Sequence, residues 1–305
     1  MTASSEDSAA PAPSAEEERQ QVISRALERL RLRMTRKRSF QVAEQEEAEA
    51  QKQSKVRKPG LHSKAENKTT KTRTKKKLPP SLPRTSLQCK EGLVVGIDEA
   101  GRGPWAGPVV AAAAAILPGG SRAKELMHGV TDSKLLNPEQ REEVYKNLTS
   151  CPYVLCSTAI IDHKRIDKIN ILEATFEGMW KSFKSLELLA ASKESKVGRI
   201  LVDGNKVPPK LKGKQTEAVI GGDRTKFAIA AASVIAKVTR DHLMSKLAQQ
   251  HPNYGFEAHK GYGTASHQEA LKKFGVSAIH RKTFEPMKTF LTTGKWRARG
   301  RAAKR

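Results

Sequence analysis

From residue 92 onward, short apolar runs alternate with segments of helical periodicity, and few folds are compatible with that alternation. Apolar runs at 93–97, 109–117, 154–161 and 200–203 have the length of strands, and a helical pattern runs from 225 to about 250. Strands alternating with helices build an α/β domain, here followed by a helical C-terminal portion. A loop bearing several lysines leads from 206 to a short strand expected at 217–220. With 37% hydrophobic residues in 305, the chain can bury at least one core.

Before residue 90 the composition is different. Residues 51–90 carry 13 Lys or Arg against Glu66 alone, with Pro, Ser and Thr between them, and read as disordered. Upstream, 16–51 carries Ile23, Leu27, Leu30 and Met34 at helical spacing, the pattern of a marginal helix on a tethered tail or, in the alternative reading, of a helix that docks on a partner. The clusters RMTRKR at 33–38 and RTKKK at 73–77 suit either a nuclear-import signal or a nonspecific nucleic-acid arm. The expected division is therefore a basic extension over 1–90, a folded domain over 91–293 and a basic tail over 294–305.

The net charge of +24 predicts attraction to polyanions, with nucleic acid ahead of an anionic membrane. No apolar run approaches the ~20 residues of a bilayer span. Cys89, Cys151 and Cys156 form no CxxC pair, which argues against a disulfide framework and a thiolate zinc site and for an intracellular protein. Acids at Glu6, Asp7 and Glu16 to Glu18 speak against a secretory signal or a transit peptide.

Against this basic background stands VVGIDEAGRGPWAGPVVAAAAAIL, residues 94–117, in which a strand presents Asp98 and Glu99 before a run of glycines. A second strand, in RILVDGNK, delivers Asp203 to its C-terminal end, where parallel sheets gather their sites. A third acid comes from the helical stretch TKFAIAAASVIAKVTRDHL, where Ser233, Lys237 and Asp241 form a narrow polar line on a mostly apolar cylinder. Buried carboxylates need a compensating cation, and several converging oxygens favour Mg2+ or Mn2+ over zinc. Asp223 is a further acid, read here as capping or charging the N-terminus of the helix that follows it.

Two polar loops, TDSKLL at 131–136 and HKGYGT at 259–264, offer cations, hydroxyls and exposed amides to phosphates. Tyr262 beside Lys260 supplies an aromatic ring that can stack on a sugar or base. The histidines have no metal-ligand spacing; His267, after the glycine-rich loop, is the one that merits a test.

In order, GIDEAGRGPWAGPVVAAA, TDSKLL, LVDGN, ASVIAKVTRD, HKGYGT and HRKTF resemble ribonuclease HII, the type 2 ribonuclease H, in its single-chain bacterial-type form. The resemblance spans about residues 92–290 and leaves the N-terminal extension outside it. It is unlike ribonuclease HIII, whose corresponding loop is of the DESGKG type. It implies the ribonuclease H fold, a mixed five-stranded sheet flanked by helices. It further implies an endonuclease that hydrolyses the RNA of RNA/DNA hybrids with two divalent ions, leaving 5′-phosphate ends, and that cuts 5′ to a single ribonucleotide in duplex DNA. Such activity serves ribonucleotide excision and RNA primer removal. By resemblance, Asp98, Glu99, Asp203 and Asp241 are the four metal-binding catalytic acids. Gly101, Arg102 and Gly103 meet the 2′-hydroxyl, Tyr262 stacks on the following sugar, and Lys134, Ser233 and Lys237 contact phosphate or support the acids. The expected enzyme is monomeric, with nuclear and organellar use and a replication-clamp contact left open. Two rivals share parts of this pattern: a resolvase- or exonuclease-like nuclease has the carboxylates without the GRG loop and its tyrosine, and a noncatalytic nucleic-acid-binding protein has the charge without need of the acids.

Overall fold

The fold, taken from a computed structural model, is described for residues 78–82, 88–118 and 128–296. The helix expected within 16–51, both basic clusters and the chain beyond 296 lie outside the described residues. The described residues belong to one unit, Lys75–Arg305.

The strands are β1 (Gln88–Cys89), β2 (Gly92–Ala100), β3 (Val109–Ile116), β4 (Val154–Ile161), β5 (Val197–Asp203) and β6 (Thr216–Val219). Five of them form a mixed sheet in the order β4-β3-β2-β5-β6, and the two-residue β1 pairs with the start of β2. Pairing is antiparallel between β2 and β3 and between β3 and β4, and parallel from β2 to β5 and from β5 to β6. The helices are α1 (Pro138–Ser150), α2 (His163–Ile169), α3 (Ile171–Ala191), α4 (Phe227–Gln250), α5 (Phe256–His259), α6 (Ala265–Phe274) and α7 (Met287–Thr293). The expected mixed sheet flanked by helices is thus present. The last strand ends one residue earlier than expected, because Gly221 takes a left-handed conformation that turns the chain, leaving Ile220 exposed.

Strand β3 explains how the layers fit. All eight residues are buried, and the alanines alternate faces: Ala111, Ala113 and Ala115 pack with Met179 and Phe183 of α3, while Ala112 and Ala114 join the α4 side with Phe227 and Ile235. Alanine is the best helix former. Here two helices press on one strand, and only small side chains let both approach. Backbone meets backbone at Gly96, where an added Cβ would lie 2.1 Å from the Ala228 carbonyl carbon. From Phe227 to Ala236 every residue of α4 is buried. A third cluster, with Trp105, Met244, Tyr254, Phe256, Leu271 and Ile279, packs the C-terminal helices against the chain that follows β2. Among the described residues, no helix is long and apolar enough to cross a membrane.

Candidate active site

Three parallel strands, β2, β5 and β6, bring their C-terminal ends to one edge of the sheet. The first ends in Asp98 and Glu99, and the second in Asp203. The third leads through Gly221 into a 3-10 turn, Gly222–Arg224, that carries Asp223, which is 3% exposed. Asp203 Oδ1 accepts the backbone N–H of Gly222 at 2.7 Å and that of Asp223 at 3.4 Å. These bonds tie the exit of β6 to the end of β5.

The electrostatics are those of anions crowded together. Burial pushes the Asp98 carboxyl well above its ordinary range, with Glu99 and Asp203 adding to the effect. Its surroundings still hold it in one pose: the Glu99 backbone N–H donates to Asp98 Oδ1 at 2.7 Å, and Ser233 hydrogen-bonds to the carboxylate. The Ser233 hydroxyl lies 3.1 Å from that of Ser133 in the TDSKLL loop. Burial likewise raises Glu99, against the opposing pull of Arg102 3.4 Å away. Asp203 is raised by burial and then by Asp223. Lys134 Nζ sits 2.9 Å from Asp223 Oδ2, and that hydrogen bond holds the ammonium above its ordinary value. Because the lysine side chain is 79% exposed, the pair contributes little stability and the ammonium can leave it for a phosphate.

Asp241, expected from the sequence as the fourth acid, belongs elsewhere. It lies eight residues beyond Ser233 on α4, about 12 Å of helix rise from the residue that touches Asp98. Its carboxylate accepts from Lys237 Nζ at 2.8 Å, and its charge acts on Arg240 and Lys260. Asp223 is the acid drawn to Asp203, and it does not cap α4: the N-cap residue is Lys226, with no side-chain cap bond. The signal that could have found it is a pair of glycines followed by an acid after a strand, GGD, the same strand-to-acid order as in GIDE and LVDG.

The chain from Gly101 to Pro108 is held by two buried arginines that no sequence motif singled out. Arg281 donates to the carbonyls of Gly101 (2.5 Å), Arg102 (2.9 Å) and Gly107 (3.0 Å), and burial lowers its guanidinium to about 9. Arg240 donates to Pro108, Ala106 and Lys260 carbonyls. Gly101 has a φ of 98°, and an added Cβ would meet Arg240 Nε at 2.1 Å, so only glycine fits there. The Trp105 N–H donates to the Gly261 carbonyl at 2.8 Å, which joins this loop to HKGYGT. As a result Tyr262, 44% exposed, stands with its ring 3.7 Å from where a Cβ on Gly103 would lie. His267 is fully buried, behind the Tyr262 loop.

Among the described residues, no three acids, histidines or cysteines converge tightly enough to enclose an ion by themselves. The donor set nevertheless suits Mg2+ or Mn2+: it is all oxygen, its crowded carboxyls raise one another's affinity for a cation, and such ions keep part of their shell as water and substrate phosphate. The same residues sit in a chain with clear relatives. A family model described as Ribonuclease HII matches residues 95–287. Ribonuclease HII of Chlamydia muridarum (strain MoPn / Nigg) is 47% identical over 201 residues, 66% of this chain and 86% of that protein. A chain in the structure of the PCNA:RNase HII complex from Archaeoglobus fulgidus is similar with a TM-score of 0.50 and 25% identity, covering 63% of this chain and 95% of that one. Bst-RNase HIII in complex with Mn2+, at a TM-score of 0.52 and 19% identity, covering 66% of this chain and 70% of that one, shares the fold. The motifs, the sheet and the sequence identity agree: this chain belongs to the ribonuclease HII family, and its activity is that of a ribonuclease H.

Proposed function

We propose that the enzyme cuts the RNA strand of RNA/DNA hybrids and incises duplex DNA 5′ to a single embedded ribonucleotide, with two Mg2+ or Mn2+ ions held by Asp98, Glu99, Asp203 and Asp223. The observation that carries this reading is the gathering of acids at one sheet edge, beside the GRG loop and the Tyr262 ring. Bound divalent ions supply Lewis-acid stabilisation of the phosphate and a more acidic attacking water. The protein's own groups do the rest. The Glu99 amide and the Ser233 hydroxyl orient Asp98, and the Gly222 and Asp223 amides orient Asp203. Lys134 exchanges its bond to Asp223 for a substrate phosphate. Gly101, Arg102 and Gly103 meet the 2′-hydroxyl, the group that distinguishes RNA. Tyr262 stacks on the neighbouring sugar, and Lys237, paired with Asp241, contacts the backbone further along. Hydrolysis of the phosphodiester then leaves a 5′-phosphate and a 3′-hydroxyl, with no covalent intermediate.

The Archaeoglobus relative is in complex with PCNA, and a sliding clamp is the protein partner we assign to this chain, to be checked by co-purification. The decisive experiment for the activity is a Mg2+ and Mn2+ titration on three duplexes: one carrying a single ribonucleotide, a uniform RNA/DNA hybrid, and all-DNA. Cleavage of the first two alone, dependent on the metal, is expected. Equal cutting of the all-DNA duplex would favour the resolvase-like rival, and metal-independent binding without cleavage would favour the binding protein.

A further inference from the structure

Beneath the loop that bears Tyr262, three buried histidines are in contact. The rings of His259 and His267 stack with centroids 4.4 Å apart, and His267 Nε2 lies 2.9 Å from His280 Nε2. Two ring nitrogens at that distance need one proton between them, and the bonds on either side decide where it resides. His280 Nδ1 receives the Ser277 backbone N–H at 3.0 Å and lies 2.7 Å from the Ser277 hydroxyl, which donates to the same lone pair, so the neutral ring carries its proton on Nε2. That N–H donates to His267 Nε2. The His267 proton is therefore on Nδ1, which donates to the Tyr262 carbonyl oxygen at 2.9 Å. His259 fixes the preceding residue in a similar way: its Nδ1 accepts the Gly261 N–H at 3.2 Å, and its Nε2 donates to the Tyr254 carbonyl at 2.6 Å. Trp105 and Phe256 pack against the His267 ring.

We propose that His280 and His267 form a directional hydrogen-bond wire, from the Ser277 amide to the Tyr262 carbonyl, that sets the pose of Tyr262 against Gly103 and makes both histidines positioning residues for ribonucleotide selection. The proposal rests on the reading of Tyr262 as the ring that stacks on the sugar. The wire works with both rings neutral, since a proton added to His267 Nε2 would point two N–H groups at each other across 2.9 Å. The histidines around them, His259 beside His267 and His251 and His163 near His280, add only positive charge when protonated. Burial favours the neutral rings as well, holding His267 at about 4 and His280 at about 3. On the flanks, Arg240 donates to the Lys260 carbonyl at the other side of the same loop, and Arg281 donates to the GRG loop.

The test compares cleavage of a single-ribonucleotide duplex with that of a uniform hybrid, using the full chain. His267→Phe keeps a ring and removes the donor, and should lower the ratio about tenfold, the scale of one lost hydrogen bond. The loss should not add to that of Tyr262→Ala, and His267→Asn, whose amide can donate to the same carbonyl, should restore the ratio. Equal slowing of both substrates by His267→Phe, or additive losses in the double variant, would overturn the proposal. Independently of activity, nitrogen-15 spectra of the wild-type chain should show His267 protonated on Nδ1 and His280 on Nε2 near neutral pH; the opposite tautomers or charged rings would also overturn it. A wild-type chain that cuts neither substrate, or a Tyr262→Ala variant with an unchanged ratio, would sink the substrate reading instead, and the tautomers would still decide the wire.

Discussion

Asp223 and Asp241 are two acids on adjoining stretches of chain, and their surroundings differ. Asp223 is buried against Asp203 with the Lys134 ammonium 2.9 Å away, whereas Asp241 belongs to a cationic neighbourhood of Lys237, Arg240 and Lys260. Asp223→Asn is therefore expected to slow single-turnover cleavage by at least about a hundredfold. Asp241→Asn, which disturbs one partly exposed ion pair, should slow it by less than about fivefold. Near-equal losses in the two variants would restore Asp241 to the catalytic set. The crowding of anions has a second consequence. Carboxyls whose affinity for protons is raised by folding cost stability as pH rises above the ordinary carboxyl range, and at neutral pH that cost is present in the metal-free chain. Asp98→Asn should thus abolish cleavage while raising the stability of the metal-free protein by about 0.5–2 kcal/mol, read from its urea midpoint. A lower midpoint would mean that the Ser233 and Glu99 bonds outweigh the repulsion.

At the level of elements, β2 and α4 carry the site between them. Gly96 packs on Ala228, Asp98 on Ser233, and Gly101 on Arg240, so successive turns of the helix register against successive parts of the strand and the loop after it. Gly96→Ala pushes a methyl into the helix backbone and should cost about 1–3 kcal/mol in a denaturant titration, with cleavage lowered as Ser233 shifts from Asp98. Unchanged stability would show that the helix yields at no cost. The five sheet strands and α4 were legible: periodicity located β4 at its observed bounds and α4 to within two residues, and the alanine run read as a strand despite its helix propensity, whereas α1, α2 and α3 were not located. Less legible were Arg240 and Arg281. Each appears in the sequence as one more of 56 Lys and Arg, and only packing turns it into a buried fork for carbonyl oxygens.

Across the whole molecule, a chain of net charge +24 carries a cluster of buried acids, so affinity and chemistry have opposite electrostatic needs. Binding of a hybrid duplex should weaken linearly in log salt, and Lys134→Ala should make that slope shallower by about one. An unchanged slope would remove Lys134 from the phosphate contacts. Acid stability has its own source. His267 at about 4 and His280 at about 3 take up protons less readily than in the unfolded chain, so their contribution is present above about pH 6.5 and is lost as pH falls toward 4. The buried carboxyls act in the opposite direction there. A melt series from pH 7 to 5 should therefore show a smaller acid-side loss in His267→Asn than in wild type, and equal losses would place the acid sensitivity elsewhere. By itself the sequence determined that two apolar strands would end in carboxylates and that the chain as a whole would be strongly basic, because strand periodicity and charge are local properties. Which acids meet was decided by tertiary structure: the parallel pairing of β5 with β6 sets the Asp223 amide 3.4 Å from a carboxylate 20 residues earlier, while the rise of one straight helix carries Asp241 away from the residue that touches Asp98.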